Sequence, residues 1–123
     1  ELNAICQRDK VRILAYSPLG SGFLTGKYKP DGTIPGRSRF DISPTHQEIY
    51  FKTKNFEIVQ KLSRFAEESG ITMPMLAVAW ALSNPGVAST LIGARKTEHI
   101  ETALEALRLK SNLNVIRRMD EWF

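Results

Sequence analysis

Cysteine is nearly missing from these 123 residues; only Cys6 is present. A single thiol excludes an intrachain disulfide and favours a reducing compartment, and on a short helix it reads as a small buried hydrophobe. Long apolar runs are missing too. The longest nearly unbroken one, Met73 to Leu82, is far too short to span a bilayer, and the first ten residues are too polar and mixed for a signal peptide. The expectation is a soluble, cytoplasmic protein without a membrane partner. Charge of one sign is also scarce: 17 Lys and Arg against 13 Asp and Glu leave a formal net charge of +4. That excess fits an anionic ligand but is too small to argue for nucleic acid, and none is expected. Two standard nucleotide motifs fail as well. A Walker loop needs G-x-x-x-x-G-K-[ST], but Ser21 stands where its first glycine belongs and Tyr28 follows Lys27. A dinucleotide fingerprint needs G-x-G-x-x-G, and after Gly20 and Gly22 its third position is Thr25. Asp41, His46 and Glu48 lie close in sequence but read as a solvated loop, so no metal site is expected.

What is present has ordinary globular composition, 42% hydrophobic and 24% charged, at the size of one domain spanning residues 1–123. Leu2, Ile5 and Cys6 have helical spacing. Val11 to Tyr16 reads as a buried strand ended by Ser17-Pro18. Residues 17–45 are irregular, with one helical turn expected at Thr25-Gly26-Lys27. Ile58, Val59, Leu62, Phe65 and Ala66 define one face of a helix that Gly70 stops. A second helix starts at Thr72 with Pro74 in its first turn and is apolar nearly all round, hence deeply buried. Asn84-Pro85-Gly86 ends it, and "ASTLI" is the second strand. Thr97 reads as the cap of a third helix with Ile100, Ala103, Leu104 and Leu107 inward. Ser111 or Asn112 caps a last one with Val115, Ile116, Met119 and Phe123 inward. Trp80 and Trp122 read as packing residues. Strands alternating with helices imply parallel βα units, and two strands alone leave edges and faces uncovered, so the pattern is part of a larger α/β architecture.

The most pointed stretch is "AYSPLGSGFLTGKY", residues 15–28. It follows a strand, and loops at strand carboxyl ends bind ligands in α/β proteins. Glycines let backbone amides approach a phosphate closely, and Lys27 adds a full charge. Lys29, Arg37 and Arg39 follow, and the second strand ends in "GARK", again a glycine and cations before a helix. Spacing alone leaves two readings open, a phosphate site shared by consecutive βα loops and ordinary solvated loops.

"AYSPLGSGFLTGKY", "MPMLAVAWALSNPGV" and "TLIGARKTEHIETALEAL", in this order, resemble the aldo-keto reductase family, especially its longer-looped members and the potassium-channel β subunits that share its fold. The resemblance covers nearly the whole chain. It implies the C-terminal part of a (β/α)8 TIM barrel, mostly helical with two short parallel strands, strands 7 and 8 of the barrel. It implies binding of NADP(H), with Ser17, Pro18, Leu19, Gly20 and Ser21 along the pyrophosphate and its ribose and Lys27 on phosphate. Arg39 would be a strap over the cofactor, with Arg37 a weaker match, and Gly93 and Arg95 would sit beside the 2′-phosphate. His99 stands where the family carries Gln or Arg. Thr102 and Ala103 replace a Glu-Asn pair that holds adenine, so NAD(H) stays open as an alternative cofactor. The family's catalytic Tyr, Lys, Asp and His lie in the first half of the barrel and map to no residue here, neither Tyr16, Tyr28 nor Tyr50.

The implied activity of the parent protein is reduction of small aldehydes or ketones to alcohols, with this chain alone inactive. The alternative is a non-enzymatic nucleotide-binding or regulatory module like the channel β subunits. An open sheet face, expected to carry Ile13 and Leu91, and two open edges imply self-association of the chain.

Overall fold

Two parallel strands form the only sheet among the described residues, which are 1–122 of this computed structural model. β1 is Ile13–Tyr16 and β2 is Val87–Leu91, slightly shorter or shifted from the expected spans. The register runs Leu14↔Ser89, Ala15↔Thr90 and Tyr16↔Leu91, with a bulge between Ile13 and Leu14. The helices are α1 (Leu2–Arg8), α2 (Arg39–Ile42), α3 (Gln47–Tyr50), α4 (Thr53–Ser69), α5 (Met73–Ser83), α6 (Thr97–Leu109) and α7 (Leu113–Asp120). The order agrees with the expected α/β architecture. The chain divides into two compact units: Leu19–Pro74, and a second made of Glu1–Pro18 with the residues from Met75 onward.

The strand-bearing unit buries Leu76, Ala77, Val78 and Ala79 of α5, Ala106 of α6, and Ile116 and Met119 of α7. The nearly all-apolar sequence of α5 accounts for its burial. Asn112 caps α7, its side-chain oxygen accepting from the Val115 N–H at 3.4 Å. The Trp80 indole N–H donates to Asp120 Oδ1 at 2.7 Å, tying α5 to α7. Three expectations need correction here. Ile13 and Leu91 do not share a face: strand alternation puts Leu14, Tyr16 and Leu91 on the open side, each more than half exposed, while Ile13 and Ala15 are half-buried. In α6, Ile100, Leu104 and Leu107 are exposed. Of the expected stripe only Ala103 is turned inward, joined by Thr102, Ala106 and Leu109 on a face of mostly small side chains that lets the backbone approach closely. Lys96, not Thr97, holds the N-cap position of α6, with no side-chain cap. Cys6 is a half-buried free thiol in an α1 without buried residues, and Phe123 lies outside the described residues.

The Leu19–Pro74 unit is built on aromatic rings. Phe23, Tyr28, Phe40, Phe56 and Val59 form its buried cluster, with Tyr50 and Phe51 packed against it. Ring centroids lie 5.0 Å apart for both Phe23–Phe56 and Tyr28–Phe40, a separation at which tilted pairs attract beyond their buried area. The stretch expected to be irregular therefore carries helical turns within Gly20–Thr25, interrupted by a left-handed kink at Ser21 and Gly22, and α2, pinned by rings at uneven sequence spacing. The expected turn at Thr25-Gly26-Lys27 ends instead at Thr25, because Gly26 is left-handed at φ +74°. α4 presents Phe56, Val59, Leu62 and Phe65 to the interior, and Gly70 ends it at φ +66°.

Candidate phosphate-binding site

β1 and β2 are parallel neighbours paired through Tyr16↔Leu91, so their carboxyl ends emerge side by side. Ser17-Pro18 leaves one and Ile92-Gly93 leaves the other; the structure thus brings these two expected segments to one sheet end. Ser17 takes a left-handed conformation, φ +54°, which costs a serine about 1–2 kcal/mol. Gly93 is different. It does not need a positive φ, and a Cβ there would meet nothing within 4 Å, so the chain's own packing does not demand a glycine. From Leu91 to Ile100 every residue is exposed.

At the start of α6 the Arg95 backbone N–H donates to His99 Nδ1 at 3.4 Å. That bond uses Nδ1 as an acceptor, a tautomer in which the N–H lies on Nε2. The Thr102 hydroxyl donates to the Glu98 carbonyl at 2.8 Å, so it is spent on its own helix, and Ala103 has no polar side-chain atom.

In the other unit, Gly20, Ser21 and Gly22 are all left-handed, with φ of +52°, +59° and +86°. Only glycine does this freely, so Ser21 carries strain of the kind found at ligand clamps. The Gly22 and Leu24 amides both donate to the Leu19 carbonyl, at 2.9 and 3.1 Å, which folds the loop on itself. The Gly20 and Ser21 amides are not taken up by backbone carbonyls among the described residues. Successive amides in such a turn make an anion-binding concavity. Lys27 returns to this loop: a Cβ on Gly22 would sit 2.8 Å from Lys27 Nζ, so the missing side chain is what lets the ammonium in. The ammonium also lies 5.3 Å from the Tyr28 ring centroid, within cation–π range.

Arg39 begins α2 with an exposed side chain. Before it, Arg37 is left-handed at φ +59°, and its backbone N–H donates to Asp41 Oδ2 at 2.6 Å. Asp41 is thus engaged with the backbone, and among the described residues no three His, Cys, Asp or Glu could hold a metal ion. Ser38 is buried, with its hydroxyl unpartnered.

Sequence reasoning passed over Gly22 and Tyr28. Gly22 belongs to the failed dinucleotide motif. Tyr28 has no periodic signal; the only hint is a tyrosine straight after Gly-Lys in a stretch rich in Phe and Tyr. Tyr16, which ends β1, is 79% exposed on the open sheet face.

The family model of the aldo/keto reductase family matches residues 1–122. The chain belongs to that family. It is 30% identical over 116 residues to an aldo-keto reductase, yakc [NADP(+)], of Schizosaccharomyces pombe, covering 94% of this chain and 34% of that protein. A putative voltage-gated potassium channel subunit beta of the same organism is 38% identical over 112 residues, 86% of this chain and 32% of the relative. Among solved structures, a glycerol dehydrogenase of Gluconobacter oxydans superposes with a TM-score of 0.65 at 25% identity, covering 95% of this chain and 35% of that one. The family and the superposition agree with a C-terminal portion of an α/β barrel. The chain spans about a third of the length of the relatives it matches.

Proposed function

We propose that this aldo/keto reductase chain supplies the NADP(H)-holding part of a cytoplasmic oxidoreductase that reduces small aldehydes or ketones to alcohols. The observation that carries the reading is the left-handed run Gly20–Gly22 with the Lys27 ammonium admitted over Gly22. Two amides without a backbone carbonyl partner and a nearby cation suit a pyrophosphate, with Ser17, Pro18 and Leu19 leading into the loop and Arg39 as the strap. The open space at Gly93, with Arg95 and the His99 Nε2 donor, suits a 2′-phosphate. The relative named for NADP(+) supports the same cofactor. Thr102 and Ala103 give adenine no polar grip, which keeps NAD(H) as the alternative cofactor.

When bound, the dinucleotide supplies hydride to the carbonyl carbon. The residues here bind and orient it; none of them corresponds to the family's proton donor, so the 123-residue chain alone is proposed to be inactive. A second reading is a regulatory module without turnover, favoured by the relatives named as potassium channel β subunits, at 38% and 35% identity.

Fluorescence titration of the full-length gene product with NADPH tests the site. Lys27→Ala and Arg95→Ala should each weaken binding by about 1.5–3 kcal/mol, the usual worth of a charge-assisted contact. The Arg95 change should hurt NADP(H) more than NAD(H); equal losses would move it off the 2′-phosphate, and an unaffected Lys27 variant would remove the cradle. Carbonyl reduction by the same protein separates the enzymatic from the regulatory reading.

A further inference from the structure

We infer that Tyr28 is a positioning residue that couples the Gly20–Gly22 phosphate loop to the Arg39 strap through its hydroxyl. The inference rests on the cofactor reading above and adds the part that makes two separate segments act together. Tyr28 is 2% exposed. Its hydroxyl donates to the Ser21 carbonyl at 3.4 Å and accepts from the Phe40 N–H at 3.4 Å. The two bonds use the hydroxyl in both its capacities, so the proton direction is fixed.

Each partner has a reason to need it. Phe40 is the second residue of α2, and the N–H groups of a first helical turn have no partner inside the helix. Ser21 is the strained, non-glycine member of the left-handed run, and its carbonyl shares a peptide plane with the Gly22 N–H that donates to the Leu19 carbonyl, so holding the one holds the other. Both contacts are buried or half-buried, where an unmade hydrogen bond is costly. The ring itself is fixed by Phe40 at 5.0 Å, Phe51 at 5.6 Å and Phe23 at 6.4 Å. The same ring lies under the Lys27 ammonium, so one side chain touches the loop, the cation and the base of the strap. Tyr50 offers a matched comparison. Its ring packs in the same cluster, against Phe23 and Phe40, and among the described residues its hydroxyl makes no comparable bridge.

The test is Tyr28→Phe against Tyr50→Phe in the full-length gene product, read by equilibrium binding of NADP⁺ and of NAD⁺ and by amide hydrogen exchange at Phe40. Both variants keep the ring, so both should fold. Tyr28→Phe should lose about tenfold in affinity for both dinucleotides alike, because the bridge orients the pyrophosphate end that they share, and the Phe40 amide should exchange faster even without ligand. Tyr50→Phe should change neither readout. A Tyr28→Phe protein that binds both dinucleotides like wild type, or that keeps the Phe40 amide protected, overturns the inference and leaves the cofactor reading standing. Wild-type protein that binds neither dinucleotide overturns both.

Discussion

The two units of this chain solve the problem of order differently. Leu19–Pro74 has little regular structure around its loop yet closes over its own aromatic core, with Phe23, Tyr28 and Phe40 each 3% exposed or less. The strand-bearing unit has the regular elements, a parallel pair and three of the longer helices, yet exposes Leu14, Tyr16 and Leu91 on the sheet and Ile100, Leu104 and Leu107 on α6. Regular secondary structure satisfies backbone hydrogen bonds but does not by itself bury side chains. Ring packing can hold a loop whose backbone is strained at Ser21, because each aromatic pair contributes about 0.5–1.5 kcal/mol beyond its buried area. The contrast places ring packing at the Gly20–Gly22 loop and leaves apolar surface around the sheet.

The strongest way to break the contrast is to remove the ring at its centre. Phe23 packs against Tyr28, Tyr50, Phe51 and Phe56, so Phe23→Ala should destabilise the Leu19–Pro74 unit by about 3–5 kcal/mol, seen as loss of near-ultraviolet circular dichroism and a lower thermal midpoint. An unchanged midpoint would mean that the cluster does not hold the loop. Gly22→Ala is milder and more local. It forces alanine to φ +86° and pushes on Lys27 Nζ, for a cost of about 1–2 kcal/mol. Cofactor affinity should fall more than global stability does, and equal losses in both would detach the glycine from the site.

The other unit calls for the opposite experiment. We propose that the isolated 123-residue chain self-associates through its exposed apolar surface. Leu104→Glu, at a side chain 58% exposed, should change stability by only about 0.5 kcal/mol while lowering the association seen by sedimentation. A wild-type chain that stays a monomer at high concentration would contradict this. The smallest expected effect is at Asp31. Hydrogen bonding from the Thr33 side chain and then from the Thr33 N–H, at 2.8 Å, holds its carboxyl below the usual carboxylate range. A lowered folded-state pKa contributes stability above the unfolded value, lost as pH falls through the folded one. Asp31 is fully exposed, so Asp31→Asn should barely alter the acid limb of an unfolding profile.

The sequence made the parallel pair legible because an apolar run, a Ser-Pro stop and a second strand before Gly93 follow the βα pattern. Helices α4, α5 and α7 were legible from period and caps, including the Asn112 cap. The aromatic core was not, because residues 23, 28, 40, 50, 51 and 56 obey no repeat; their meeting is a tertiary fact. α6 shows a subtler limit. Its pattern contains a leucine stripe and a small-residue stripe, and periodicity does not say which faces the interior. At the site, the resemblance marked Ser17 through Ser21, Lys27, Arg39, Gly93, Arg95 and His99. The structure adds the left-handed run, the space at Gly22 and the Tyr28 hydroxyl bridge, none of which follows from residue type.

The most direct test of the account is a crystal structure of the full-length gene product with NADP⁺. The account predicts pyrophosphate oxygens at about 3 Å from the Gly20 or Ser21 amide and from Lys27 Nζ, a hydrogen-bonding distance, with the Gly20–Gly22 conformation unchanged. A pyrophosphate bound away from this loop, with Lys27 turned from it, would contradict the central claim.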